Sequence, residues 1–188
     1  MAPNTPLTAD QANARLHELT VIDVRTPGEY SSGHLPGAHN IPLDHLDAAL
    51  PALRTAADRG ALLVVCASGA RSATACERLA DQGINAATLT GGTSAWVQLG
   101  HDTHRPAGAR TAWAMDRQVR IAAGSLVLTG LLAGQRWSAA RWLSAGVAGG
   151  LVFSALTNTC GMSKILARLP HNQPGKTDLE ATLAALAG

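Results

Sequence analysis

The segment Cys66-Ala-Ser-Gly-Ala-Arg71 holds residue types from which a nucleophilic site can be built. Cysteine reacts as its thiolate, and a free cysteine thiol, with a pKa of about 8.5, is mostly protonated at neutral pH. The positions between the two ends are all small: Ala67, Ser68, Gly69 and Ala70. A backbone this unhindered can wrap tightly and point N–H groups at the sulfur, while Arg71 supplies a rigid fork for an oxyanion. We therefore predict that Cys66 is catalytic and that the 67–71 loop binds an anionic substrate.

Other polar residues are expected near this loop. Asp23 and Arg25 follow the first predicted strand and should lie at the same sheet edge as Cys66. Arg25 can pair with Glu29 and fix the turn, or it can attract an anionic donor. We favour the ion pair, because such pairs are common where loops begin. His34 is expected to pack structurally, since a thiolate needs no base during its attack.

The first hundred residues alternate between strand-like and helix-like patterns. Apolar or β-branched runs predict strands at 20–24, 61–65 and 86–89. Helical patterns cover 8–19, 43–53 (broken at Pro51), 70–82 and 93–99. This alternation predicts an α/β domain with a parallel sheet flanked by helices. Cys66 follows a buried strand and precedes a helix, so it should lie at the carboxyl edge of the sheet, where open α/β folds bind ligands. Gly91, Gly92 and Trp96 are expected to serve as turn and core.

Charge divides the chain into two unlike halves. Residues 1–100 carry six Lys/Arg and nine Asp/Glu (net −3), whereas residues 101–188 carry nine and four (net +5). The basic half is rich in Gly, Ala and Leu with scattered cations, which excludes a nucleic-acid-binding tail. The N-terminal residues have neither the basic patch nor the apolar run of a signal peptide, so we expect the first domain to fold in the cytoplasm.

The three cysteines, Cys66, Cys76 and Cys160, form neither a closed disulfide set nor a metal-site spacing. A reducing compartment is therefore expected. Cys76 is interpreted as a small buried hydrophobic residue, with a resolving thiol as the alternative. A relay of sulfur from Cys66 to Cys160 has no support in the sequence beyond the presence of both thiols.

Two apolar runs follow a polar linker. Residues 142–163 carry no charge and would extend about 33 Å as a helix, enough to cross a hydrocarbon core of about 30 Å. Residues 119–137 reach about 28 Å if Arg120 and Arg136 snorkel to the interfaces. Seven Lys/Arg flank the two runs against two in the connecting loop, which places both termini in the cytoplasm. The alternative is a soluble helical pair.

Small residues recur on each run, as Gly130-x-x-x-Gly134 and Gly146-x-x-x-Gly150. Such spacing lets helices approach closely, either within the hairpin or across a dimer. We predict a homodimer through these helices.

Three blocks, VIDVRTPGEYSSGHLPGAHNIPL, CASGAR and TLTGGTSAW, resemble the signature blocks of the rhodanese family over residues 8–100. By that resemblance Cys66 becomes a persulfide, the 67–71 loop cradles it and Arg71 helps to bind the anionic donor. MDRQVRIAAGSLVLTGLLAGQ and TCGMSKILARLPHNQ resemble the membrane hairpin of bacterial inner-membrane rhodaneses. The implied organisation is a rhodanese-like domain over 1–100, a linker over 101–118, a transmembrane hairpin over 119–164 and a cytoplasmic tail over 165–188.

The resemblance implies a membrane-anchored sulfurtransferase that moves sulfane sulfur from a donor such as thiosulfate to cyanide or a thiol, with no metal or organic cofactor. A cysteine-dependent phosphatase or arsenate reductase is an alternative, but phosphatases place five residues between cysteine and arginine, and this loop has four. A non-catalytic module would lack Cys66. A hairpin dimer that transports sulfur anions such as thiocyanate is a further alternative, although no charged residue lies within 121–134 or 142–163 to bind an ion.

Overall fold

A computed structural model of the chain describes residues 5–105, 115–157 and 176–188. It divides into two compact units, one formed by Met1–Ala112 with Gln173–Gly188 and the other by Trp113–Asn172. Cys160 and part of the predicted linker lie outside the described residues, so the interpretations placed on them remain predictions.

The first unit is built on a four-stranded sheet whose strands all run parallel. Its strands are β1 (Leu19–Asp23), β2 (His39–Asn40), β3 (Ala61–Val65) and β4 (Ala86–Thr88), in the order β2-β1-β3-β4. The register of the central pair aligns Asp23 with Val65, so both strands end at the same edge. The prediction of a parallel α/β sheet is confirmed.

Helices cover both faces of this sheet. They are α1 (Ala9–Ala14), α2 (Pro27–Ser31), α3 (Leu46–Arg59), α4 (Ala70–Asp81) and α5 (Gly92–Gln98). Strand β3 alternates between two cores: Leu62 and Val64 pack in the core that includes α3 and α4, while Leu63 and Val65 pack in the core that includes Trp96 of α5. A strand buried on both faces reads as a continuous apolar run, which is why the ALLVV segment is recognisable in the sequence.

Two predicted elements are corrected by the structure. The helix expected over 8–19 ends at Ala14, because a single 3-10 turn follows and Leu19 already pairs with Ala61 in the sheet. The segment 26–42, for which the sequence predicts neither a helix nor a strand, contains α2 and β2. A capping box between Thr26 and Glu29 begins α2, and Pro27 at the first helical position favours it.

Pro51 does not break α3, which corrects the predicted interruption. Proline in a helix interior removes one backbone hydrogen bond and clashes with the preceding turn. The buried residues Leu46, Ala49, Leu53 and Ala56 nevertheless share one face on both sides of Pro51, which is itself exposed. Packing of this apolar face against the sheet therefore outweighs the local cost.

The C-terminal helix α8 (Lys176–Ala187) packs against α3 of the same unit. Leu186 is almost fully buried in the core, Leu183 packs beside it, and Arg59 donates a hydrogen bond to the carbonyl of Leu186. This helix also borders a pocket of about 220 Å³ together with α2 and β2. Residues expected from the sequence to belong to a tail therefore contribute to the core of the first unit.

The second unit contains two packed helices, α6 (Met115–Ala133) and α7 (Arg141–Thr157), joined through a 3-10 turn at Ser138–Ala140. A Cβ atom on Gly130 would lie 2.4 Å from the Ser144 hydroxyl oxygen, and one on Gly134 would lie 2.5 Å from Cγ of Arg141. Gly130 and Gly134 therefore allow α6 to pack closely against α7. Gly146 and Gly150 have open space around them.

The helical bounds differ from the expected membrane spans. Helix α6 begins four residues before the predicted start at 119 and ends four before 137. Among residues 5–105, 115–157 and 176–188, no helix combines the length and the apolar character needed to cross a membrane.

Candidate active site

Cys66 follows β3 directly, and the chain then turns into α4. Its Sγ accepts hydrogen bonds from the backbone N–H of Gly69 at 3.1 Å and of Ser72 at 3.4 Å. The residue is 1% exposed, so these amides act where little water competes with them. The Ser72 amide belongs to the first turn of α4, where N–H groups have no partner within the helix and carry the positive end of the helix dipole. The arrangement favours negative charge on sulfur.

The carbonyls of the loop are held by the start of α5. The N–H of Thr93 donates to the Cys66 carbonyl at 2.8 Å, and the N–H of Ser94 donates to the Ala67 carbonyl at 3.0 Å. Gly92, directly before Thr93, has a φ of +61°, and a Cβ atom there would stand 2.3 Å from the Cys66 carbonyl oxygen. Gly92 is therefore required for the loop to approach α5. The sequence pattern predicts only a turn at Gly92.

The hydroxyl of Ser72 ties the loop to the sheet. It donates to the Gly69 carbonyl at 2.9 Å, contacts the hydroxyl of Thr88 on β4, and lies 3.7 Å from Sγ of Cys66. Ser72 is fully buried. Sequence reasoning missed this residue, although its position directly after Arg71 at a helix start was a signal for it.

Arg71 is held by a carboxylate. Its two terminal nitrogens donate to the two carboxylate oxygens of Glu29 at 2.8 Å each, in a bidentate pair. Burial lowers the pKa of the Arg71 guanidinium, but the hydrogen bonds and charge of Glu29 outweigh it, and the pKa is raised overall. Glu29 is 2% exposed and also accepts from the amide and hydroxyl of Thr26. The guanidinium is thus fixed beside the loop.

Asp23 and Arg25 form a separate buried ion pair. Arg25 donates to both carboxylate oxygens of Asp23 over 2.6–3.0 Å and also to the carbonyl of Gly33 at 2.8 Å. The predicted pairing of Arg25 with Glu29 is therefore wrong, because Glu29 faces Arg71 instead. The physical reason is that Asp23 ends β1 two residues before Arg25, within direct reach of its side chain. The preferred structural role for Arg25 agrees with this geometry.

The remaining candidates are buried. His34 stacks on Tyr30 with ring centroids 3.6 Å apart, and its Nδ1 lies 2.9 Å from the Tyr30 carbonyl oxygen. Burial is the main cause that lowers the pKa of His34. Cys76 is buried inside α4, and burial, with smaller effects of Glu77 and Cys66, raises its pKa to about 11. A thiol with such a pKa is a weak nucleophile at neutral pH.

The site brings together Cys66, the loop and Arg71, while Ser68 and Ala70 lie exposed at its outer side. In the parts of the chain that the structure describes, no cluster of His, Cys, Asp and Glu could hold a metal ion.

Each half of the chain matches a known protein family. Residues 8–99 match the model of the rhodanese-like domain, and residues 114–174 match that of the inner membrane protein YgaP-like, transmembrane domain. The Synechocystis protein slr1261 is 35% identical over 175 residues, which is 92% of this chain and 93% of that protein. A protein named sulfurtransferase from Allochromatium vinosum is 31% identical over 99 residues, covering 52% of this chain and 90% of its own.

The fold agrees with these matches. A crystal structure of a rhodanese-related protein from Thermoplasma volcanium superposes with a TM-score of 0.50 and 30% identity, covering 54% of this chain and 98% of that chain. Both the sequence and the parallel sheet with its cysteine loop therefore lead to one assignment. The chain belongs to the rhodanese family, in the type that carries a rhodanese-like domain followed by a YgaP-like transmembrane domain.

Proposed function

We propose that this protein is a membrane-anchored sulfurtransferase that carries sulfane sulfur as a persulfide on Cys66. The observation that carries the proposal is the pair of backbone amides, from Gly69 and Ser72, that donate to the buried Sγ. Such preorganised donors stabilise negative charge on the nucleophile and on the sulfur that leaves it. Membership of the rhodanese family, which includes a relative named sulfurtransferase, supports the same chemistry.

In the first half-reaction the Cys66 thiolate attacks the outer sulfur of a donor such as thiosulfate. A sulfur–sulfur bond forms on Cys66 while the sulfur–sulfur bond of the donor breaks, and sulfite leaves with the bonding electron pair. The amides of Gly69 and Ser72, which donate to Sγ, stabilise the negative charge on sulfur during this step. Arg71, oriented by Glu29, contributes donors for the oxyanion.

In the second half-reaction an acceptor takes the sulfur. Cyanide or a thiolate attacks the outer sulfur of the persulfide, the new bond gives thiocyanate or an acceptor persulfide, and Cys66 departs as a thiolate. The same two amides receive that returning charge. The reaction is therefore a ping-pong exchange that needs no net oxidant or reductant.

The second unit is proposed to anchor the enzyme in the bacterial inner membrane as a hairpin, with the rhodanese domain and the C-terminus on the cytoplasmic side. The match of residues 114–174 to a transmembrane domain family and the excess of flanking Lys/Arg support this. We also propose a homodimer through α7, because Gly146 and Gly150 have open space beside them whereas Gly130 and Gly134 already contact α7.

The decisive experiment is intact-mass measurement of the full-length protein after treatment with thiosulfate. The wild type should gain the mass of one sulfur atom, and cyanide should remove it. Cys66→Ser should gain nothing, whereas Cys76→Ser, the matched control at the other buried thiol, should gain as the wild type does. A gain that survives in Cys66→Ser would transfer the role to another cysteine, and hydrolysis of a phosphate ester without sulfur uptake would favour the phosphatase.

A further inference from the structure

We propose that residues 103–105, the strap, form a pH-dependent attachment to the first unit that releases when His34 and His104 both carry a proton. The strap follows the residues that match the rhodanese-like domain, 8–99, and the chain beyond it leads to the second unit, which begins at Trp113. The inference concerns this connection and is independent of the reaction at Cys66.

The strap is attached to the loop between α2 and β2 by its backbone. The amide of His34 donates to the carbonyl of His104 at 3.0 Å, and the amide of His104 donates to the carbonyl of His34 at 2.8 Å. Arg105 adds a hydrogen bond from its Nε to the carbonyl of Ser32 at 2.8 Å. The two histidines are therefore the residues at which the strap and the loop meet.

The rings of these histidines lie close together. Their centroids are 5.2 Å apart, and the His34 ring also stacks on Tyr30 with centroids 3.6 Å apart. His34 is 4% exposed, whereas His104 is exposed. The His104 side chain is thus part of what covers His34, and release of the strap would bring the His34 ring closer to water.

The acid that faces the His34 ring is already paired. Asp23, at the end of β1, is fully buried and bound to Arg25 at 2.6 Å. Arg25 is itself a cation beside the ring, and the strap adds His104 and Arg105 on its side. A proton on His34 therefore enters a cluster that already holds cations, and a second proton on His104 places two like charges 5.2 Å apart.

Protonation and release are linked through the pKa of His34. Burial is the largest cause that lowers this pKa; the carbonyl of Tyr30 and the charge of Asp23 oppose it, while His104 and Arg25 add to it. A histidine whose pKa is lowered in the attached state binds its proton more tightly once the strap has released. Protons therefore shift the equilibrium toward the released strap as the pH falls below about 6.5.

The residues directly before the strap are attached in a way that acid does not weaken. Nε2 of His101 lies 2.9 Å from Oδ1 of Asp10, so a proton on His101 strengthens this pair. The indole N–H of Trp96 donates to the carbonyl of Asp102, whose carboxylate is exposed, at 2.8 Å. Release thus frees three residues, which add at most about 10 Å of extended chain to the connection.

The test measures amide hydrogen exchange by NMR on the full-length protein in detergent micelles, expressed as protection factors so that the intrinsic effect of pH is removed. The protection factor of the His104 amide should fall by at least about threefold between pH 7.5 and pH 5.5, with a ceiling of about tenfold for each histidine that titrates. The His104 amide should also be less protected at both pH values than the Val24 amide, which bonds to Val65 in the sheet, because local release needs less free energy than global unfolding.

Two variants separate the histidine pair from other titrating groups. His104→Gln, at an exposed position, keeps the backbone bonds and should reduce the fall, and the double variant His34→Phe/His104→Gln should abolish it. His45→Gln is the matched control, because it removes an imidazole in the turn Leu43–His45, outside the strap and its loop, and should keep the wild-type fall.

Three results would overturn the proposal. They are a His104 protection factor that is the same at both pH values, a His104 amide as protected as that of Val24 at pH 5.5, and a fall in His104→Gln as large as in the wild type. The last comparison uses an exposed side chain, so it stands even if the double variant does not fold.

Discussion

At the scale of single residues, the reactive loop depends on a contact that involves no reactive group. Gly92 brings the start of α5 against the loop, so that the amides of Thr93 and Ser94 bind the carbonyls of Cys66 and Ala67. Because these carbonyls are held by α5, the opposite side of the loop is free to present amides to Sγ. The geometry of the nucleophile is therefore set by a glycine 26 residues away in the sequence.

Gly92→Ala should damage both stability and chemistry. The new Cβ would stand 2.3 Å from a backbone oxygen at a φ of +61°, so the loop or α5 must shift. We expect the free energy of unfolding to fall by about 2–4 kcal/mol. Sulfur loading of Cys66 should fall at least tenfold, measured by intact mass on protein that remains folded.

Gly83→Ala is the matched control for that substitution. Its φ is +73°, but nothing lies within 4 Å of the added Cβ. It should lose about 1 kcal/mol from backbone strain and keep normal sulfur loading. Equal loss of loading in the two variants would contradict the role assigned to Gly92.

The buried His34 and the half-buried His39 should make the domain sensitive to acid. Burial lowers the pKa values of His34 and His39 below the ordinary value of 6.5, so the folded state favours their neutral forms. Their contribution to stability is complete above about pH 6.5 and is lost as the pH falls below that value, through the folded-state pKa. Urea unfolding should show a free energy that decreases by up to about 1.4 kcal/mol per pH unit for each group.

His34→Phe retains a ring to stack on Tyr30 and removes one of these two histidines. The slope of unfolding free energy between pH 7 and 5.5 should become shallower in this variant. The control is the same comparison between pH 8 and 9, well above the ordinary histidine pKa of about 6.5, where the slopes of His34→Phe and the wild type should agree. A slope that does not change in His34→Phe would show that this histidine does not contribute to acid sensitivity.

At the scale of elements, α8 belongs to the fold of the first unit. Leu186 is 2% exposed and packs in the core formed by α3, β1 and α4, and Arg59 of α3 binds its carbonyl. A helix in this position covers apolar surface that the domain would otherwise leave in water. The rhodanese domain is therefore completed by residues that follow the second unit in the chain.

Leu186→Ala tests this completion. Removing a fully buried leucine side chain should lower the free energy of unfolding by about 2–4 kcal/mol, measured by urea denaturation of the full-length protein. Leu99→Ala is the control, because Leu99 is 58% exposed and its loss should cost less than about 1 kcal/mol. A Leu186 variant as stable as the Leu99 variant would mean that α8 does not dock in solution.

At the scale of the whole molecule, the chain leaves the first unit and returns to it. Met1–Ala112 and Gln173–Gly188 form one compact unit, with Trp113–Asn172 inserted between them. If the inserted part enters a membrane, it must therefore cross an even number of times. The excess of Lys/Arg in its flanks supports the proposal that the first unit lies in the cytoplasm.

Cysteine labelling in bacterial cells tests this orientation in a cysteine-free background. A membrane-impermeant maleimide should label Ser138→Cys, in the exposed turn between α6 and α7, in intact cells. It should label Ala187→Cys, on an exposed face of α8, only after the cells are permeabilised. The reverse pattern would contradict the orientation, and labelling of both positions in intact cells would contradict the hairpin.

The class of fold can be predicted from local sequence patterns, and the same patterns single out Cys66 as the proposed nucleophile. Continuous apolar runs such as Ala61–Val65, alternating with helices, are sufficient to predict a parallel sheet, because a strand buried on both faces must be apolar throughout. The short loop from Cys66 to Arg71 is equally local, since its residues are contiguous and small. Information of this kind lies within a few residues and can be read without the fold.

The tertiary structure is needed to know which charged residues pair, that Gly92 supports the loop, and that α8 packs in the core of the first unit. Glu29, expected from the sequence to pair with Arg25, instead binds Arg71, which lies 42 residues further along the chain, while Arg25 pairs with Asp23. Pro51 remained helical because a buried face on both sides of it outweighed a local cost. These outcomes depend on contacts between residues distant in the chain, whose energies exceed local preference and are set by the three-dimensional packing alone.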